Sequence, residues 1–471
     1  MLHSCEHSLG HNMRKILIAG GSGFIGHALI ESLLSDEKNE LVALSRASRS
    51  SHHPRLKWMK CDLYSLKDIS DAMVGCDDAY YLVHSMLPSA SLSQGTFYDF
   101  DLIMADNFIR AAKTHDLKHI IYLGGMIPEN EELSWHLRSR LEVEETFIQS
   151  GIKTSVLRAG LIIGPQGSSF TILERLIRRL PIMICPAWTK TLSQPVALRD
   201  MIKVLCRILN EENIQGRVFD IAGPEVVSYQ GLIQKAGEKI RKKSKLFTLN
   251  IIPLAMSRFW VSLVTGVPKK LVYPLVLSLK HKMLPSPRQQ WPHPEDISTS
   301  LDESLQISLL TPARETFSGY IPKEKDVRSI QRLVLPEGKS AQWVAEEYFR
   351  WLPRFFSTLV RVQLEGDRCT FYLIDPSFKL LVLERSVERS TPDRQLLYIV
   401  GGLLSAKQER GRLEFREVLD QKYVMAAIHE FRPALPWFIY RWTQAILHLF
   451  VMNAFGEHLK WYVISDQKVK I

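Results

Sequence analysis

The segment Lys15 to Gly26, KILIAGGSGFIG, constrains this chain more than any other stretch. A short apolar run, Ile16 to Ala19, breaks into Gly20, Gly21, Ser22 and Gly23, and Gly26 stands near the head of an amphipathic segment, Phe24 to Leu34. Strand, tight turn and helix follow one another, with glycines spaced at Gly20, Gly23 and Gly26. One glycine permits the sharp turn, the next lets the backbone approach a pyrophosphate, and the last lets helix pack on strand. The helix N-terminus brings free N–H groups and the positive end of its dipole to the same point. The pattern predicts a dinucleotide site lined by Gly20, Gly21, Ser22, Gly23, Phe24, Ile25 and Gly26.

The rhythm continues downstream. Apolar runs at Leu41 to Ser45, Leu56 to Met59, Ala79 to Val83, Ile120 to Leu123 and Thr154 to Leu157 alternate with helical patterns around Leu66 to Met73, Tyr98 to His115 and Leu133 to Ser150. Such alternation predicts an α/β domain with right-handed crossovers, a Rossmann-type doubly wound parallel sheet over residues 13–235. Beyond Gly164 it loosens into helices at Phe170 to Leu180 and Asp200 to Asn210 and a late strand, Val218 to Ile221. Residues 236–325 then read as a helical substrate-side region and linker, broken by Pro253, Pro268 and Pro274. The Pro-rich stretch Leu284 to Pro294 reads as a linker or extended loop.

Residues 326–471 change character. Thr370 to Leu373, Leu380 to Glu384, Leu396 to Val400, Gly411 to Val418 and Lys422 to Glu430 read as antiparallel strands. Trp437 to Lys460 reads as one long helix. Arg441, Gln444, His448 and Asn453 make it a poor membrane span, and an amphipathic helix across a curved sheet is the better reading.

A chain of 471 residues with 46% hydrophobic and 23% charged content has ample core for two or three domains and excludes a disordered protein. Six scattered cysteines, without metal spacing, predict reduced thiols and a cytoplasmic setting. Residues 1–12 are polar rather than an apolar signal and read as a disordered leader or as the product of a start codon upstream of Met13, with a metal site the lesser alternative for His3, His7 and His11 around Cys5. Lys239, Arg241, Lys242, Lys243 and Lys245 precede the apolar run Leu246 to Val264. No nucleic-acid motif accompanies them, which leaves a solvated helix face or a segment lying peripherally at the inner membrane surface.

The second strand bears on the cofactor. An NAD(H) site usually has a carboxylate at that strand's end for the ribose hydroxyls. Ser45, Arg46 and Arg49 stand there instead, and a guanidinium binds the 2′-phosphate that a carboxylate would repel. NADP(H) is therefore favoured, with NAD(H) as the alternative. Asp62 stands where it can hold an adenine amino group or join Ser65 in capping the next helix.

These residues, with Cys61-Asp62-Leu63, Tyr80 to Ser85, Asn107-Phe108, Tyr122 to Gly125, Leu157 to Gly160, Ile163-Gly164 and Phe219 to Pro224, resemble the atypical short-chain dehydrogenase/reductases. The likeness is to the NmrA-like proteins and the NAD(P)-binding accessory subunit of respiratory complex I, and it covers about the first half of the chain. It implies a cofactor along the sheet's carboxyl edge, with Leu63, Val83, His84 and Gly124 beside it.

The departures matter as much. Active members use Tyr-x-x-x-Lys on the helix after the fifth strand and a hydroxyl at that strand's end. Here the strand ends in Gly124-Gly125, and the helix carries His136 and Arg140 one turn apart. A histidine titrating near neutrality suits proton donation, and Arg140 suits a phosphate or ribose hydroxyl. Arginine does not release its proton, so a binding-only site stands beside the catalytic one. Arg158 reads as a buried pair partner, and Gln194, Pro195 and Asp200 as substrate-side residues, Asp200 with a helix cap as its alternative.

The C-terminal segment resembles the START-like helix-grip folds through its strands and final helix. Trp437, Phe438, Tyr440, Trp442, Phe450 and Phe455 are then expected to line or plug an apolar pocket, or to be core. Three functions follow as expectations: an NADP(H)-dependent oxidoreductase on a small apolar or isoprenoid-like molecule, a non-catalytic NADP(H)-binding sensor or assembly protein working through a protein partner, and a lipid or quinone binder.

Overall fold

The computed structural model describes residues 13–84, 90–129, 131–242, 245–249, 254–267, 269–310, 326–357, 359–406 and 410–469. The leader with its histidines, Ser85 and Lys243 lie outside them. The chain divides into two compact units, Met1–Leu87 with Met104–Gly319, and Pro88–Ile103 with Tyr320–Ile471.

The first unit is built on a seven-stranded sheet. Its strands are β1 (Arg14–Ala19), β2 (Asn39–Ser45), β3 (Leu56–Lys60), β4 (Asp78–Tyr81), β5 (His119–Gly125), β6 (Lys153–Ala159) and β7 (Val218–Ile221). They lie in the order β7-β6-β5-β4-β1-β2-β3, all parallel. Strand order reverses between β1 and β4, and such a switch point opens a crevice at the carboxyl ends of the strands. Ile16, Leu17, Ile18, Leu41, Ala43, Tyr80 and Ile121 are buried, as strands covered on both faces require. The helices are α1 (Phe24–Leu34), α2 (Leu66–Met73), α3 (Phe97–Thr114), α4 (Trp135–Gln149), α5 (Ser168–Arg179), α6 (Leu198–Asn210), α7 (Tyr229–Lys239), α8 (Leu254–Thr265), α9 (Lys269–Ser278) and α10 (Leu301–Leu310).

The Pro-rich stretch is not a free linker. The Asp220 amide donates to the Gln289 carbonyl at 2.7 Å, the Ser286 amide to Asp220 Oδ2 at 2.8 Å, and Trp291 is buried edge-on to Phe219. Residues 283–291 form a strap fastened to the carboxyl end of β7.

The second unit holds an eight-stranded sheet. Its order is Val360–Glu365, Arg368–Leu373, Asp375–Arg385, Arg394–Gly401, Arg412–Val418, Tyr423–Phe431, Val327–Val334 and Leu92–Gln94. Only the last pair is parallel. Helices α11 (Ala341–Phe355) and α13 (Gln444–Val469) pack on it. The single long helix expected from Trp437 is two, α12 (Trp437–Trp442) and α13, because Thr443 leaves the helical region with φ −123° and ψ −85°. Of its aromatics, Tyr440 and Phe455 are core while Phe438, Trp442 and Phe450 face outward. Among the described residues no helix is long and apolar enough to cross a membrane.

Candidate functional site: a dinucleotide cleft at the carboxyl edge of the sheet

At the β1–α1 turn, Gly20 has φ +91°, a left-handed conformation that a side chain resists. The Gly23 amide closes the turn on the Gly20 carbonyl at 2.9 Å. A Cβ at Gly26 would lie 2.2 Å from the Gly20 oxygen, so helix and strand approach as closely as they do only because both residues are glycine. Gly23 begins α1 without a side-chain cap, which leaves the first-turn amides for an anion. A Cβ at Gly20 would meet Val83 Cγ2 and the Leu82 carbonyl at 3.1 Å, so β4 also presses on this turn. The residues fit a pyrophosphate.

Ser45 is buried at the end of β2, and its Oγ accepts from the Ala47 amide and from Arg49 Nε, both at 3.3 Å. Arg49 also lies over the Trp58 ring, 5.3 Å from its centroid. Its guanidinium is thus steered beside the strand end with no carboxylate at Ser45 or Arg46. The half-buried Asp62 accepts from the Tyr64 amide at 3.1 Å, while Ser65 caps α2 through the Asp68 amide. Asp62 shapes the turn and Ser65 alone is the cap. Asn107, fully buried on α3, donates to the Leu63 carbonyl at 2.9 Å and fixes this loop from below.

At the other end of the cleft β5 finishes at Gly124-Gly125. A Cβ on Gly124 would touch Tyr122, and one on Gly125 would lie 3.6 Å from Arg140 Cγ and Nε. Arg140 therefore borders the strand end, at ordinary van der Waals distance from where a Cβ would stand. The Tyr122 hydroxyl donates to the Arg140 carbonyl at 3.2 Å, and Arg140 Nε is buried without a hydrogen-bond partner among the described residues. His136, on the same face of α4, lies 5.5 Å from His84 between ring centroids. Burial, and then the Arg140 charge, push His136 down to about 3. Burial, Arg140 and His136 together hold His84 well below the ordinary histidine range. The expectation of a histidine titrating near neutrality is corrected here: both rings are neutral at physiological pH.

The head of α4 is set by residues far along the chain. Ser134 caps it, accepting from the Leu137 amide, and the Ser134 amide donates to His281 Nε2 at 3.1 Å. His281 Nδ1 in turn donates to Glu131 at 2.6 Å, which fixes the tautomer. Met283 packs with Met126 and Leu137 into a small apolar cluster beside His136. None of His281, Met283 or Ser286 was legible as a site residue, since their only local signal was proline content. Arg158 is a pair partner as expected, with two bonds to Glu144 at 2.9 and 2.6 Å and one to Gln289 at 2.7 Å. Asp200 does not cap α6. It is fully buried and accepts from the Thr299 amide and hydroxyl, and Gln194 donates to the Gly223 carbonyl.

A cavity of about 370 Å³ lies elsewhere, between α1, α6 and α10. Ala28, Ser32, Leu198, Ile202 and Ser308 line it, its Lys203 and Arg199 are paired with Asp200 and Glu303, and it contains no predicted site residue.

Parallel order, glycine turn and open helix end define an NAD(P)-binding Rossmann unit. Residues 16–222 match the model of the NAD dependent epimerase/dehydratase family. The chain is similar to the auxiliary protein GraX of Staphylococcus aureus, 34% identical over 121 residues, which are 25% of this chain and 39% of that protein. It is also similar to the 2-alkyl-3-oxoalkanoate reductase of Stenotrophomonas maltophilia, 28% identical over 113 residues, 23% of this chain and 32% of the other. The chain thus spans well under half the length of these relatives. Among solved structures it is similar to a nucleoside-diphosphate-sugar epimerase from Staphylococcus aureus, with 14% identity, a TM-score of 0.49, and 62% of this chain and 100% of that one covered.

Proposed function

We propose that the first unit binds NADP(H) in preference to NAD(H) and uses it to reduce an apolar carbonyl or quinone-like molecule. The observation that carries this reading is the pairing of His136 with Arg140 at Gly125, beside the apolar Met126, Leu137 and Met283. When bound, the cofactor supplies a hydride, leaving negative charge on the acceptor's oxygen. Arg140 offers that oxygen a fixed positive charge and a buried N–H that no group among the described residues uses. His136, being neutral, acts as an N–H donor and not as an acid, so the proton comes from solvent. Such a site suits acceptors whose reduced form is a stabilised anion, for which a strong acid is not needed. Ser45 and Trp58 aim Arg49 toward a ribose 2′-phosphate, with Arg46 adjoining.

Fluorescence titration with NADPH and NADH tests the cofactor. NADPH is expected to bind more tightly, Arg46→Glu to remove the preference, and Arg49→Ala to weaken NADPH by roughly tenfold or more while leaving NADH unchanged. Turnover is tested with NADPH and a series of quinones and enones, where His136→Ala and Arg140→Ala should each lower kcat. No turnover with any of them, alongside intact NADPH binding, supports the second reading, a non-catalytic NADP(H)-binding protein acting through a partner. The strand end Gly124-Gly125, which lacks a hydroxyl, favours that one.

The START-like reading of the second unit is supported by its antiparallel sheet and long C-terminal helix. Its readout is an apolar molecule retained by the native protein in mass spectrometry.

A further inference from the structure

Between Lys239 and Pro294 the chain carries eleven lysines and arginines and not one aspartate or glutamate. That exceeds the formal excess of +10 for all 471 residues, so the remainder of the protein is close to neutral. A segment of this length without an acid is a concentrated cationic field. The structure shows what accompanies it. Residues Lys245–Leu249 form a strand beside Ile182–Pro186, in parallel register with Lys245 opposite Ile182 and Phe247 opposite Ile184. Side chains alternate across such a pair. Met183, Cys185 and Leu246 turn inward to the core with Phe170 and Leu232. Ile182, Ile184, Phe247 and Leu249 turn outward and are about half exposed, at 55%, 51%, 54% and 47%. On α8 a second row, Phe259 and Leu263, one turn apart, is exposed as well.

The surrounding charges are basic. Lys245 shares the outward face of its strand, and Arg241 is exposed at the turn before it. Arg178 and Arg179 are exposed at the end of α5, immediately before Ile182. The acids within reach are few: Glu174 pairs with Arg178, Asp302 pairs with Lys235 and lies 3.6 Å from Lys239, and Glu238 is exposed immediately before the basic run. A soluble surface does not ordinarily set large apolar side chains in pairs on an edge sheet. Apolar groups that project from a basic surrounding suit a bilayer whose headgroups are anionic, with the side chains entering the acyl boundary and the cations remaining among the phosphates.

We propose that this face of the first unit docks on an anionic lipid surface. The docking segment also bears on the cleft: α9, within the acid-free stretch, packs against α4, and Ser278 and His281 at its end meet Ser134 at the head of that helix. An apolar molecule held in a bilayer would thus be presented beside the α4 wall. The docking itself requires neither catalysis nor cofactor.

The test is sedimentation of the full chain with phosphatidylcholine vesicles against vesicles that also contain phosphatidylglycerol. Binding is expected only to the second, and to fall as salt is raised. Lys245→Ala should weaken partitioning about fivefold, the effect of one basic residue at such a surface. Phe247→Glu should abolish it, with NADPH titration and thermal midpoint confirming that each variant is folded. Absence of binding to phosphatidylglycerol vesicles by a protein that still binds NADPH overturns the proposal and leaves the cofactor reading standing. So does binding that is indifferent to Phe247→Glu and equally strong to duplex DNA, since that describes a general affinity for polyanions. Dimerisation that Phe247→Glu abolishes, without lipid binding, would assign the face to a second copy and likewise overturns it.

Discussion

A methyl group at Gly26 would lie 2.2 Å from the Gly20 oxygen and 2.7 Å from the Gly21 Cα, and both of those are backbone atoms that cannot rotate aside. Helix α1 would have to lift from β1, carrying its open N-terminus away from the phosphate position. Gly26→Ala is therefore expected to cost about 1–3 kcal/mol of stability, as overpacking does. It should also weaken NADPH binding by roughly tenfold or more, since about 1.4 kcal/mol of misplacement suffices. Thermal melts and fluorescence titration of the same variant measure both, and unchanged affinity would show that the turn does not hold the cofactor. Asn107 makes a related point with a different residue. Fully buried on α3, it carries the Leu63 loop through a bond to that residue's carbonyl.

At the scale of elements, the strap 283–291 and strands β6 and β7 are joined through Arg158. Its guanidinium meets Glu144, Gln289 and, at 3.9 Å, Asp220, and both carboxylates are nearly fully buried. Removing the cation leaves two buried carboxylates uncompensated, so Arg158→Met should cost about 3–5 kcal/mol. Pairing it with Glu144→Gln should recover part of that loss, and the double-mutant cycle in urea unfolding reads the coupling. Additive losses would mean that the network does not act as a unit. The same elements show what was legible in the sequence. β1, the glycine turn and α1 are contiguous, so their signal is local; all seven strands of the first sheet and five of the eight in the second stood out by apolar run or alternation, while Val327–Val334 and Val360–Glu365 went unread. The strap was not legible, because its partners Asp220 and Arg158 are some 65 and 130 residues away in the chain. Leu92–Gln94 was missed for the same reason: three residues make a strand only by pairing in parallel with Val327 to Ser329. The break at Thr443 was hidden because apolar spacing continues across it.

On the scale of the whole molecule, burial of neutral histidines sets the response to acid. His136 is held at about 3 by burial and then Arg140, and His119 at about 4, where burial outweighs the opposing pull of Asp78. In the unfolded chain each returns to an ordinary value of about 6.5. Between those values the unfolded state binds protons that the folded state does not, so stability rises with pH across that window and is lost as pH falls. The loss begins near pH 6.5 and levels off only around the folded values of 4 and 3. At about pH 5 each of these two histidines should destabilise the first unit by roughly 2 kcal/mol. Buried His429 in the second unit, also held well below its ordinary value by burial and then Arg412, works in the same direction. Thermal midpoints between about pH 7 and 5 should therefore fall steadily for the native chain. The slope should be shallower in His136→Gln, which has nothing to titrate at that position, and the variant should gain on the native protein as the medium is acidified. Equal slopes for both would show that His136 takes a proton in the folded state. That result would restore imidazolium as the acid of the site and the short-chain dehydrogenase logic that neutrality removes.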